Sequence, residues 1–192
     1  MLLLAVIATA GVYSQDETTP DIYGIGDQTF SINAGVILPL FIFGVDGTVV
    51  GGFSKLSLGA AGSLRWATFL NNEMTLGVDV GGMFAFSKLK RVLIMLPVSG
   101  MFTYAIRFYP FELILQAGLG VNFIKFVDDL YVGPAFKPGV SFYWNYSSEW
   151  SFGIQAEYWF TPEVYFGAKP PADQSEFGNF LGITFTTLYH FQ

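Results

Sequence analysis

Apolar residues alternate with small or polar ones along most of this chain at a period of two, the repeat that separates the two faces of a β-strand. The pattern is clearest from Leu56 to Ser87, where it runs twice, on either side of Asn71-Asn72-Glu73. In the first arm Leu56, Leu58, Ala60, Leu64 and Trp66 share one face, against Ser57, Gly59, Ala61, Ser63 and Arg65. In the second arm Met74, Leu76, Val78, Val80, Phe84 and Phe86 oppose Thr75, Gly77, Asp79, Gly81, Ala85 and Ser87. This predicts a hairpin with one apolar face and one face of small and polar side chains.

The same alternation predicts strands elsewhere. A first strand over residues 29–40 carries Phe30, Ile32, Ala34, Val36 and Leu38 on its apolar face. Leu96, Val98, Phe102, Tyr104, Ile106 and Phe108 lead to a Pro110-Phe111 turn, after which Leu113 to Phe123 alternate against Glu112, Gln116, Gly118, Gly120 and Asn122. Asp128-Asp129 punctuates a loop before Phe136, Val140, Phe142 and Trp144. A Tyr146-Ser147-Ser148 turn leads to Trp150 through Phe160, and the last strand carries Leu181, Ile183, Phe185, Tyr189 and Phe191. The longest connection, Thr161 to Asn179, carries Lys169-Pro170-Pro171 and is a loop by composition. Connections thus read long and short in turn, as expected for an up-and-down antiparallel barrel of about eight strands.

Composition decides which face meets which solvent. The chain is 52% hydrophobic and only 12% charged, with 22 glycines, about half the charge of an ordinary soluble domain. No stretch reaches the roughly 20 unbroken apolar residues of a spanning helix; the best, Val92 to Ile106, is short and interrupted by Pro97, Ser99 and Gly100. High hydrophobicity without a spanning helix leaves the closed transmembrane barrel, apolar face to lipid and small residues inward. A soluble lipocalin-like barrel would reverse the faces, but the Gly, Ala and Ser face is too poor in charge to meet water. The net charge of −6 argues against nucleic acid as a partner. With no cysteine, disulfides and a lipoprotein anchor are excluded.

Residues 1–10, extending at most to 15, form an apolar run ending in Ala8-Thr9-Ala10 and read as a signal peptide without the usual positive start. Residues 16–28 follow as an acidic periplasmic segment, and 29–192 as the barrel. Aromatic residues collect where the interfaces should lie: Trp66, Tyr104, Phe108, Trp144, Trp150 and Tyr189 near the short turns, and Tyr158 with Phe41, Phe86, Phe123 and Phe160 near the loops. This is the aromatic girdle of a membrane barrel. The terminal Tyr189-His190-Phe191-Gln192 resembles the carboxy-terminal signal read by barrel-assembly machinery, departing from it by Gln192 after the final aromatic. With the whole mature chain fitting the pattern, the protein resembles the small outer-membrane barrels of the OmpA, OmpX and OmpW kind, nearest the OmpW-like group by loop lengths. That resemblance implies an outer-membrane location in a Gram-negative-type envelope, contact with outer-membrane lipid and with barrel-assembly machinery during biogenesis, and a monomeric state.

Inward charges can be placed by counting across the turns. The Asn71-Asn72-Glu73 turn puts Arg65 opposite Asp79. The Tyr146-Ser147-Ser148 turn puts Lys137 opposite Glu157, and the Pro110-Phe111 turn leaves Arg107 diagonal to Glu112 and Gln116. Each inward cation therefore has an inward anion in reach. Such pairs form either a selectivity constriction or a neutralised plug, and the completeness of the pairing favours the plug. No catalytic, cofactor or metal site is expected. The lone His190 sits at the wrong end for an esterase of the outer leaflet, and Asp128-Asp129 reads as a solvated tip, not a Ca²⁺ site. The functional expectation is a non-enzymatic, porin-like narrow passive conduit for small or apolar solutes, or a structural component of the outer membrane; the alternative is an adhesin acting through its loops.

Overall fold

The computed structural model describes residues 23–44, 49–51, 56–87, 91–126, 129–162 and 176–191. Their alternating sequence forms nine strands: β1 (Gln28–Gly44), β2 (Val49–Gly51), β3 (Gly59–Phe69), β4 (Met74–Phe86), β5 (Val92–Phe108), β6 (Phe111–Phe126), β7 (Asp129–Asn145), β8 (Trp150–Thr161) and β9 (Glu176–Phe191). All pairings are antiparallel; β1 pairs with β3, the strands from β3 to β9 pair in sequence order, and β1 closes the sheet by pairing with β9 from Gln28↔Phe191 to Gly44↔Glu176. The result is a closed all-β barrel of eight long strands. The three-residue β2 is an accessory, pairing with Phe41–Phe43 at the loop end of β1. On that side β3 pairs with β1 only up to Ile37↔Gly59, so β2 covers the part of β1 that β3 leaves open. Closure removes the free sheet edge that lipid cannot satisfy.

The outside is apolar around the middle of the barrel, with Lys125 exposed on β6 toward the loop end. Leu119 is 68% exposed, Ile154 61%, Phe185 57% and Val78 48%, exposures that would be costly in water and are favourable in hydrocarbon. The intervening positions are buried, among them Ser31, Asn33, Asp79, Ser99, Asn122, Lys137 and Thr186. Both faces therefore follow the period of two along most of the described strands; on β9 the consecutive Asn179 and Phe180 are both buried, and a second departure lies ahead of β3. Leu56 is buried, although the alternation places it with the exposed Leu58. The bridge Leu56↔Ser87 is offset by one residue from the Ala60↔Phe84 register, and a one-residue slip turns a side chain to the opposite face.

The connections differ from their expected lengths or positions in four places. The β5–β6 turn is Tyr109-Pro110, joined by a cis peptide, with Phe108 paired to Phe111. The β7–β8 turn spans four residues, 146–149. It is closed by Tyr146 and Ser147 N–H groups donating to the Trp150 carbonyl. The Asp128-Asp129 loop is no longer than the turns, because β6 runs to Phe126 and β7 starts at Asp129. The supposed loop from Thr161 to Asn179 is strand again from Glu176. Strict long-short alternation of connections therefore fails. What distinguishes the loop end is strand overhang, since β5, β6 and β7 run 16 or 17 residues against the roughly 9–11 needed to cross a bilayer. The proposed signal peptide and Asp128 lie outside the described residues. The turns 70–73, 109–110 and 146–149, together with both ends of the barrel sequence, mark the opposite end.

Candidate functional site

The functional site sought from the sequence is the lumen, and the inward side chains divide it into levels. Toward the loops, Ile37, Leu56, Met83, Met95, Trp159 and Phe180 form a buried apolar cluster with Ala61 and Ile124. Near mid-barrel the charges converge. Lys137 Nζ lies 2.5 Å from Asp79 Oδ2 and 3.1 Å from Glu157 Oε2. Arg65 Nε is 3.3 Å from Asp79 Oδ1, and its Nη2 is 3.5 Å from Glu157 Oε1. Gln116 fills the remaining gap. Its Oε1 accepts from Arg65 Nη1 at 2.7 Å and its Nε2 donates to Glu157 Oε1 at 3.2 Å. Trp159 roofs the cluster, with its indole N–H donating to Glu157 Oε2 at 2.5 Å and its ring centroid 4.7 Å from Lys137 Nζ. Charges taken from water are tolerable only when paired and hydrogen-bonded, and here two cations face two carboxylates.

Two glycines make room for this network. Gly118 lies opposite Lys137, and a Cβ on it would stand 2.3 Å from Met101 Sδ and 3.3 Å from Lys137 Cβ. Gly139 lies opposite Glu157, and a Cβ there would come within 2.8 Å of Gln116 Nε2 and of the Ala156 carbonyl oxygen.

The observed register places Arg65 directly across from Asp79. It differs from the expected one at the other two pairs. Glu157 faces Gly139, not Lys137, because the β7–β8 turn is centred one residue later than counted, with Tyr146 across from Trp150. Lys137 reaches Glu157 diagonally and Asp79 from a strand that is not its neighbour. Arg107 stands directly opposite Glu112, not diagonal to it, because the β5–β6 turn begins one residue earlier. Gln116 belongs with Arg65, far from Arg107.

The turn end holds a third level. Arg107 Nε donates to Glu112 Oε1 at 2.9 Å, and its Nη1 donates to the carbonyl and side-chain oxygens of Asn72. Above this pair sits Tyr23, a residue the alternation did not single out. Gly26, at φ +96°, turns the chain entering β1; its N–H donates to the Phe69 carbonyl at 3.0 Å, and Phe69 N–H donates to the Asp27 carbonyl at 2.8 Å. This turn folds Tyr23 back into the barrel mouth. Its ring stacks on Phe69 at 4.5 Å and on His190 at 4.7 Å, with the Arg107 guanidinium 4.9 Å from its centroid. Burial, reinforced by the Glu112 carboxylate, pushes the Tyr23 phenol up to about 12.

Between Tyr23 and the ion network lies a cavity of about 40 Å³, lined by Thr29, Ser31, Thr75, Thr103, Tyr143 and His190 among others. His190 Nε2 is 3.3 Å from Ser151 Oγ, but its Nδ1 has no hydrogen-bond partner among the described residues. Among the described residues no carboxylate pairs with His190 to complete a nucleophilic triad. Among the described residues no group of three His, Cys, Asp or Glu side chains could hold a metal ion. On the outside, Trp66, Phe108, Trp144 and Trp150 are exposed toward the turns. Tyr104 and Tyr189 are half-buried on the same band, and Tyr158 is half-buried toward the loops. Tyr189 packs on Trp150 at 4.8 Å and edge-on to Phe191 at 4.9 Å, so the terminal aromatics are part of the outer surface of β9.

Fold and surface together define a small outer-membrane β-barrel. A family model matches residues 11–189, a match that takes in eight of the nine strands and β9 as far as Tyr189, and the chain belongs to that family. No curated protein matches it in sequence. Among solved structures it is similar to Neisserial surface protein A, at 9% identity and a TM-score of 0.64 over 86% of this chain and 97% of that one. It is also similar to the outer membrane protein OprG from Pseudomonas aeruginosa, at 13% identity and a TM-score of 0.56 over 88% and 98%. The outer membrane protein AlkL matches at 14% identity and a TM-score of 0.50 over 94% and 95%. At these identities the likeness is one of fold. The apolar circumference and this fold place the chain in the outer membrane.

Proposed function

We propose that this barrel is a non-enzymatic structural component of the outer membrane whose lumen is plugged and does not conduct, so that what it does is done through its outer surface and loop end. The observation that carries this reading is the Lys137–Asp79–Arg65–Glu157 network, whose charges satisfy one another across the bore. A selectivity filter leaves charges for the permeating ion; here they are spent internally, under a roof of Trp159 and Phe180. An eight-stranded bore has width only for its own side chains. The apolar cluster above adds a second barrier. The reading is tested in cells lacking the chain. The expected result is an envelope more sensitive to detergent with uptake of small polar and apolar solutes unchanged, and the wild-type chain should restore detergent resistance. Reduced solute uptake through an envelope that stays tight would favour the conduit instead.

A further inference from the structure

The turn-end half of the lumen is unlike the rest, because it contains space and unsatisfied polar atoms together. The cavity holds about 40 Å³, and a water needs at least about 10–15 Å³ by the same measure. Ser31 Oγ and His190 Nδ1, on residues that line it, and Arg107 Nη2 beside Tyr23 have no hydrogen-bond partner among the described residues. An apolar void of this size stays dry, whereas one edged by orphaned donors and acceptors holds water, since leaving each buried group unsatisfied costs about 1–3 kcal/mol. Water has no route to it from the loop side, where the ion network and the Trp159 and Phe180 cluster stand in the way. On the turn side Phe69 and His190 line the cavity, and the Tyr23 ring lies stacked over both.

We propose that Tyr23 is a removable aromatic cork on the periplasmic mouth of the barrel, sealing a small hydrated vestibule that ends blindly at the Arg65–Asp79–Lys137–Glu157 network. The cork differs from the barrel wall in how it is held. Strand residues are fixed by two ladders of backbone hydrogen bonds, whereas Tyr23 precedes β1 and is held by stacking on Phe69 and His190 and by the Arg107 guanidinium. Its turn is tied to the rim by the Gly26 and Asp27 contacts with Phe69. Swinging about Gly26 would free the ring without breaking a strand pairing. Segments with few buried contacts are those that open at low free energy. The vestibule takes water and solutes of similar size, and nothing passes beyond it. The blind end rests on the plugged lumen proposed above, whereas the cork does not: conductance reports on mid-barrel, and vestibule access reports on Tyr23.

The chain has no cysteine, so a single Ser31→Cys places a nearly isosteric thiol on the vestibule wall, and Ala61→Cys places one above the ion network as a control. The probe is a small charged methanethiosulfonate applied to the folded barrel in detergent micelles, with heat-modifiable gel migration confirming that each variant is folded. With Tyr23 in place, Ser31→Cys should react slowly. Adding Tyr23→Ala should speed it roughly tenfold or more, the sign of a lost local barrier, while Tyr23→Phe, which keeps the stacking ring, should leave it slow. Ala61→Cys should stay slow in every background. Gly26→Val, which strains the turn without touching the ring, offers a second way to lift the cork should Tyr23→Ala fail to fold. Equal rates at Ser31→Cys with and without the cork, fast or slow, overturn the proposal. So does a parallel rise at Ala61→Cys, which would mean general loosening of the barrel.

Discussion

Lys137 on β7 and Asp79 on β4 meet in an ion pair at 2.5 Å, both fully buried, although their strands are not neighbours in the sheet. The pair therefore bridges the bore, tying together parts of the wall that backbone hydrogen bonds link by the shorter way round through two intervening strands, β5 and β6. Removing one member of a buried pair strands the other charge, at a cost of about 3–5 kcal/mol. Lys137→Met should lower the stability of the folded barrel by an amount of that order in urea titration from detergent or lipid. Lys137→Met with Asp79→Asn, which leaves the Arg65–Glu157 pair balanced, should recover a large part of it. Exchanging the charges of Lys137 and Glu157 should not, because the new Glu would face Asp79 and the new Lys would face Arg65. Recovery by the exchange would mean that Lys137 and Glu157 form an isolated pair.

The outward face makes a separate prediction. Arg in place of Val78 or Leu119, which are 48% and 68% exposed to lipid, should destabilise the barrel by roughly 2–4 kcal/mol near mid-bilayer. Arg in place of Leu58, toward the loop end, should cost less. Equal costs would contradict the membrane-facing assignment, as would a protein lost from the membrane on carbonate extraction.

Gly139 should be intolerant of side chains for a reason the wall alone does not give. A Cβ there presses on Gln116 Nε2 and on backbone, and Gln116 ties Arg65 to Glu157. Gly139→Val should therefore be additive in stability with Leu119→Ala, which shares no contact with it, and non-additive with Gln116→Leu. Strict additivity with both would remove Gly139 from the network.

Tyr23 carries a pH signature. Its phenol is raised to about 12 when folded, against about 10 unperturbed. Its folded pKa is the higher, so the stability it contributes is complete below pH 10 and is lost as pH rises toward 12. The difference in tyrosinate absorbance between wild type and Tyr23→Phe should show one phenol ionising late. Ionisation of that phenol near pH 10 would mean that Tyr23 is solvated.

The two faces of the barrel were legible because a period of two survives almost everywhere; Leu56 escaped it because one slipped bridge reverses facing without leaving a mark in the sequence. Register was legible only as far as turn length. Counting across Asn71-Asn72-Glu73 gives the observed Arg65↔Asp79 pairing. Misplacing the turns at Tyr109-Pro110 and at 146–149 displaced the other pairings by two in the sum of residue numbers, a shift that preserves parity. Inward residues thus stayed inward while acquiring the wrong partners. The merging of Arg65, Asp79, Lys137, Glu157 and Gln116 into one cluster was beyond sequence reasoning, since it depends on bore diameter and strand stagger. Tyr23 was missed because a residue ahead of the first strand has no alternation to betray its facing; Gly24-Ile25-Gly26 marks only a turn.

The central claim is that the bore is sealed at its middle, and planar-bilayer recording of the purified, folded protein tests it most directly. The wild-type barrel should insert and remain electrically silent across applied voltages, and Tyr23→Ala should be equally silent, because the cork closes only a blind vestibule. Discrete conductance steps from the wild-type protein would contradict the account, showing that the charged network is a gate and the lumen a conduit.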